Sequence, residues 1–70
     1  MTVLTLRPRQ IEVLRLVSGG LTDRQAGEQL GISEGAARNH VYRASKLLGG
    51  RNRVHAVVLA HELGLLDGPR

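Results

Sequence analysis

Two short amphipathic stretches meet at Gly31-Ile32-Ser33, and that junction leaves the chain few ways to fold. Before it, Thr22-Asp23-Arg24-Gln25 puts a hydroxyl at a helix N-cap and a glutamine three residues on. In this pattern side chain and backbone satisfy each other's free groups at a helix start, and Asp23 suits the positive end of the helix dipole. The helix so begun is expected over residues 22–30, burying Ala26 and Leu30. Gly31 ends it, Ile32 plugs the corner, and Ser33 caps a further helix over residues 34–48. Two helices on a glycine-containing turn of this length describe a helix-turn-helix unit. Gly27, in mid-helix, costs about 1 kcal/mol relative to alanine. It therefore marks a close approach of another backbone, expected from the helix that follows.

The flanking periodicity adds two more helices. Ile11, Val13, Leu14 and Val17 form an apolar stripe over residues 8–18, with Pro8 at a first helical position and Ser18-Gly19-Gly20 as the stop. Gly49-Gly50 breaks the long helix, and Asn52 caps a fourth over residues 53–63. Gly64 stops that one, and Leu65-Leu66 are expected to pack back under it. The expected fold is one all-α, four-helix domain over residues 1–70. Tyr42 is the one aromatic residue and cysteine is absent, so the core must be aliphatic, with no disulfide or thiolate metal site to brace it. A chain this short buries only about 60% of its unfolded surface. A partner chain or a ligand is the expected brace. No apolar run approaches a membrane span and no signal-peptide pattern opens the chain, so a soluble, cytoplasmic, nucleoid-associated protein is expected.

Charge placement narrows the function. The net charge is +4, and no acidic residue lies between Glu34 and Glu62, a window holding Arg38, Arg43, Lys46, Arg51, Arg53, His40 and His55. On the third helix Ala37, Val41, Ala44 and Leu48 fall on one stripe facing the core. The opposite side carries Gly35, Arg38, Asn39, Tyr42, Arg43 and Lys46 without an acid. A solvated helix usually mixes both signs of charge, so this face reads as a nucleic-acid surface, with Gly35 and Ala36 small enough to bring the helix N-terminus close to a phosphate. The fourth helix is apolar nearly all round, with Val54, Val57 and Val58 on one side and Ala56, Leu59, Ala60 and Leu63 on the other. It needs two partners, the core and a second copy. Periodicity leaves open which side faces out. The valine side, Val54, Val57, Val58 and His61, is the expected dimerisation face because it leaves a polar group at the rim. The alternatives are the Ala56-Leu59-Leu63 side and a monomer that pairs only on DNA.

Leu6-x-Pro8-Arg9 with Glu12-Val13-Leu14, then Gly20-Leu21-Thr22, then Leu30-Gly31-Ile32-Ser33-Glu34-Gly35 form a recognisable set. Arg38-Asn39-His40-Val41, Leu48-Gly49, Arg53 and Ala56 complete it. Together they resemble the helix-turn-helix domain of the LuxR/GerE family of bacterial transcription regulators, from about Leu6 to Leu66. The resemblance implies a four-helix fold with its third helix in the major groove of double-stranded DNA. It implies base contacts from Arg38, Asn39 and Tyr42, phosphate contacts from Thr22, Ser33, Arg43 and Lys46, and a homodimer through the fourth helix. The chain departs from the family at Arg7, where Thr or Ser would cap the first helix, and at Gln10, where glutamate is usual. Ala26-Gly27 stands for Ile-Ala, Ala36-Ala37 for Thr-Val and Leu47-Leu48 for Lys-Leu. Ala36 and Leu47 remove two expected phosphate contacts. Most relatives carry a receiver or ligand-binding domain upstream, so a stand-alone domain without a sensor is the expectation here.

Two other readings compete. Region 4 of sigma factors shares the Pro8-Arg9-Gln10, Gly31-to-Gly35 and Tyr42-Arg43-Ala44 pattern, but ends soon after its recognition helix, which the Arg53-to-Leu66 segment does not. A protein-interaction module with weak DNA binding, partnering RNA polymerase or another regulator, would keep the fold and lose the phosphate contacts. An enzyme is not expected. His55 and His61 are six apart and point to different sides of a helix, and His40 has no cysteine or paired carboxylate near it in sequence. No metal, no cofactor and no nucleophile–base pair is expected.

Overall fold

The computed structural model describes residues 6–66, and among these it has four helices and no strand. They are α1 (Pro8–Ser18), α2 (Asp23–Leu30), α3 (Glu34–Leu48) and α4 (Arg53–Glu62). The expected domain ends at 1–5 and 67–70 lie outside the described residues. Helix α3 is the hub, packing against α1, α2 and α4, while α1 also touches α2.

Each helix start is dictated locally. At α2 the Thr22 Oγ1 accepts from the Gln25 N–H at 3.1 Å, and the Gln25 Oε1 accepts from the Thr22 N–H at 2.9 Å. Ser33 Oγ accepts from the Ala36 N–H at 3.0 Å to open α3, and Asn52 Oδ1 accepts from the His55 N–H at 2.9 Å to open α4. Such caps are each worth about 1 kcal/mol. Arg7 supplies no side-chain cap to α1. Half of the capping arrangement nevertheless survives, because the buried Gln10 accepts from the Arg7 N–H at 3.0 Å through its Oε1. An amide serves there as well as a carboxylate.

The core is narrow and rich in alanine. Val13, Leu14, Ala26, Ala37, Val41, Ala44 and Ala60 are buried in one cluster, with Leu16, Val17, Leu30, Ile32, Leu48, Val57, Leu65 and Leu66 packed around it. Leu14 and Val13 are the largest side chains wholly enclosed. Ile11, expected on the core stripe, is only half-buried, and Leu16 takes a place there instead. Alanines at the crossings let the helices approach closely, which suits a chain too short to enclose bulkier layers.

Gly27 carries the tightest contact. A Cβ at this position would lie 2.6 Å from the Ile32 carbonyl oxygen and 3.1 Å from that of Ser33. The approaching backbone is thus the turn before α3, not α3 itself as the sequence suggested. Helix α4 also differs from expectation. It ends at Glu62, and its valines part company, with Val57 packed against the core while Val54 and Val58 face outward. Leu63 is exposed, and Leu65 and Leu66 fold back onto the cluster. Among the described residues no helix is long and apolar enough to cross a membrane.

Candidate nucleic-acid interface

With Ala37, Val41 and Ala44 turned inward, helical periodicity leaves Gly35, Arg38, Asn39, Tyr42, Arg43 and Lys46 outward, and all six are exposed. The 15 residues of α3 make a rod about 22 Å long at 1.5 Å per residue. Nothing lies within 4 Å of where a Gly35 Cβ would be, so the N-terminal end of this face is open. Farther along, the Lys46 ammonium sits 5.4 Å from the centre of the Tyr42 ring, close enough for a weak cation–π contact. Thr22 and Ser33 are exposed at the starts of α2 and α3. Each hydroxyl oxygen accepts a capping bond, which leaves its O–H proton free to donate to an anion.

Two carboxylates organise the arginines, and here the acid-free face inferred from sequence needs correction. Glu34 Oε2 accepts from Arg38 Nη2 at 2.8 Å, one helical turn away. Asp23, largely buried, accepts from Arg53 Nη2 through both oxygens, at 2.6 and 2.7 Å, and lies 3.5 Å from Arg38 Nε. The start of α2 is thereby tied to α4 and to α3 at one point. Nothing in the sequence spacing signals this pair, because Asp23 and Arg53 are thirty residues apart. From its sequence position Asp23 looks like a favourable dipole charge alone.

Beyond α3 the chain turns back beside it. Gly50 donates its N–H to the Ser45 carbonyl at 2.9 Å, and a Cβ on Gly50 would lie 3.1 Å from the Ala56 backbone, so α4 begins pressed against this turn. The Arg51 N–H donates to His55 Nδ1 at 3.0 Å. The result is an open groove of about 270 Å³ between α3 and the turn, lined by Arg38, Tyr42, Lys46, Arg51 and Arg53 among others. Sequence alone gives Arg51 and Arg53 no place at the site; the turn brings both to this groove.

The expected dimerisation residues do not form one uniform face. Val54 is 73% exposed and Val58 47%, and His61 is exposed beside them, whereas Val57 is half-buried against the core. Val57, Val58 and His61 share a shallow groove of about 590 Å³ with Ser18 and Leu66. His40 is half-buried with its Nδ1 enclosed and unpartnered. No group of three or more potential metal ligands occurs among the described residues.

Comparison with known proteins agrees with this architecture. Residues 4–60 match the GerE family, described as bacterial regulatory proteins of the luxR family. The chain is 41% identical over 64 residues to the transcriptional activator protein CarR of Pectobacterium carotovorum, covering 91% of this chain and 26% of that protein. It is 42% identical over 55 residues to the transcriptional activator protein BjaR1 of Bradyrhizobium diazoefficiens, covering 79% of this chain and 23% of that protein. It is 35% identical over 63 residues to the transcriptional regulatory protein LnrK of Bacillus subtilis, covering 90% and 29% respectively. The chain spans about a quarter of the length of these curated relatives. Four helices, a glycine-pinned turn and a family match over most of the sequence lead to one conclusion: the chain belongs to the luxR family of bacterial regulatory proteins and carries its helix-turn-helix domain.

Proposed function

We propose that this chain is a sequence-specific double-stranded DNA-binding transcription regulator whose α3 lies in the major groove. The observation that carries the reading is the outward side of α3, where Arg38, Asn39, Tyr42, Arg43 and Lys46 are all exposed on one face of one helix. A helix is about 10–12 Å across and the major groove about 12 Å wide, so such a face meets base edges along its middle and phosphates at its margins. Arg38, Asn39 and Tyr42 read bases, and Thr22, Ser33, Arg43 and Lys46 hold the backbone. In the free protein Arg38 rests on Glu34, with both side chains half or more exposed, and its Nε lies 3.5 Å from Asp23, whose charge Arg53 already holds. Exposed pairs of this kind are worth only about 0–1 kcal/mol, so a guanine can draw the guanidinium away at little cost. The named transcriptional activators and regulators among the relatives support regulation of transcription as the outcome. Two copies paired through Val54, Val57, Val58 and His61 would read a short inverted repeat, with the complex at the nucleoid in the cytoplasm.

Mutant affinities over a range of salt test the assignment. Lys46→Ala should weaken binding to every duplex alike and reduce the salt slope by about one unit. Arg38→Ala should cost about 1–3 kcal/mol on a duplex selected from a random pool and relax choice at one base position. Equal losses from Arg38→Ala on selected and random duplexes would assign Arg38 to the backbone. Binding that does not weaken with salt would favour a protein-interaction module instead.

A further inference from the structure

Four arginines of the described chain are engaged by carboxylates: Arg9 by Glu12, Arg24 by Glu28, Arg38 by Glu34 and Asp23, and Arg53 by Asp23. Arg7, Arg43 and Lys46 make no ion pair among the described residues. All three line one groove of about 350 Å³, on the α1 side of α3, together with Gln10 and Leu47. Lys46 lines this groove and also the one beside Arg51, so the two grooves flank the outward face of α3. Three cations in one concavity, with no counterion and no acid in its wall among the described residues, repel one another until an anion enters.

We propose that this groove holds a phosphate of the DNA backbone, making Arg7 a DNA-contacting residue and the start of α1 a second anchor on the duplex. The inference rests on the DNA-binding reading above and extends it to a helix that reading leaves out. In sequence Arg7 and Leu47 are two unrelated losses, a helix cap missing and an amine missing, forty residues apart. In the fold they line one groove, so Arg7 adds charge to the same wall in which Leu47 supplies none. The Arg7 side chain is exposed and takes no part in capping α1, which depends on the Arg7 backbone N–H and Gln10 instead. It is therefore free to turn to a ligand. A phosphate is the expected occupant because two of the three cations, Arg43 and Lys46, belong to the face already assigned to the duplex margin.

The test compares wild type, Arg7→Gln, Arg7→Lys and Lys46→Ala on a selected and on a random-sequence duplex over a range of salt. Thermal melting of each variant checks that the fold is intact. Each phosphate contact contributes about 0.9 to the slope of log affinity against log salt. Arg7→Gln should lower the slope by about that amount with no change in base preference, and Arg7→Lys should restore it. If Lys46→Ala lowers the slope and Arg7→Gln does not, Arg7 holds no phosphate and the proposal is wrong while the DNA-binding reading stands. If Arg7→Lys behaves as Arg7→Gln in an intact fold, charge is not what Arg7 supplies and the proposal is wrong. If wild type shows no salt-dependent binding to any duplex, both inferences fall together.

Discussion

Replacing Gly27 by alanine adds one methyl group at the point where α2 meets the turn before α3. Two effects oppose each other. Alanine in mid-helix is favoured over glycine by about 1 kcal/mol. Against this, the new Cβ would sit 2.6 Å from the Ile32 carbonyl oxygen, 3.1 Å from the Ser33 oxygen and 3.2 Å from the Ser33 carbonyl carbon. These are backbone atoms with no rotamer to escape into. The Ile32 N–H is bonded to the Gly27 carbonyl at 2.9 Å, and Ser33 is the cap of α3, so relief requires the turn to open. Overpacking of this kind costs about 1–3 kcal/mol or somewhat more. Contact with backbone atoms this close puts the steric cost toward the upper end of that range, so it wins, with a net loss of up to about 2 kcal/mol. In a domain of this size that corresponds to a melting temperature lower by up to roughly 15 °C. Because the displaced element carries α3, duplex affinity should fall further than the unfolded fraction alone explains. Thermal melting followed by circular dichroism measures the first effect, and fluorescence anisotropy with a labelled duplex the second. Gly35→Ala is the control, since no atom lies within 4 Å of its added Cβ, and its melting temperature should equal or exceed wild type. A Gly27→Ala protein that melts at or above wild type would refute the close-approach reasoning.

Asp23→Asn removes the charge that Arg53 and Arg38 share while keeping one acceptor. With Arg53 nearly half exposed, the loss should be about 1 kcal/mol of stability, and freeing two arginines should raise affinity for random duplex DNA; melting and anisotropy together check both directions, and a drop in both would show that Asp23 places the arginines productively. Val58→Asp puts a carboxylate on the outward face of α4, so wild type should show concentration-dependent dimerisation in sedimentation and the variant should stay monomeric. Equal dimerisation of the two would put the contact elsewhere on the molecule.

The four-helix fold was legible because punctuation and period agreed. Thr22, Ser33 and Asn52 cap, Gly31 and Gly49 stop in left-handed conformations, and the inward stripe of α3 is made of the residues that periodicity selects. The outward face of α3 was legible for the same reason, since it is the complement of that stripe. What escaped was everything fixed by tertiary proximity. The Asp23–Arg53 pair joins helices thirty residues apart, and the groove shared by Arg7 and Leu47 joins the start of α1 to the end of α3. Val57 looks like its neighbours Val54 and Val58 in composition, yet it packs against the core while they face outward. Periodicity could not choose between sides of a helix that is apolar nearly all round.

The central claim is that the outward face of α3 is the surface that meets DNA. The most direct test is titration of the uniformly ¹⁵N-labelled chain with a short duplex at low salt, following each backbone amide by NMR. The account predicts the largest shifts and line broadening at Arg38, Asn39, Tyr42, Arg43 and Lys46, with further changes at the α2 and α3 starts around Thr22 and Ser33. Shifts gathered on α4 around Val54, Val58 and His61, with α3 unmoved, would contradict it.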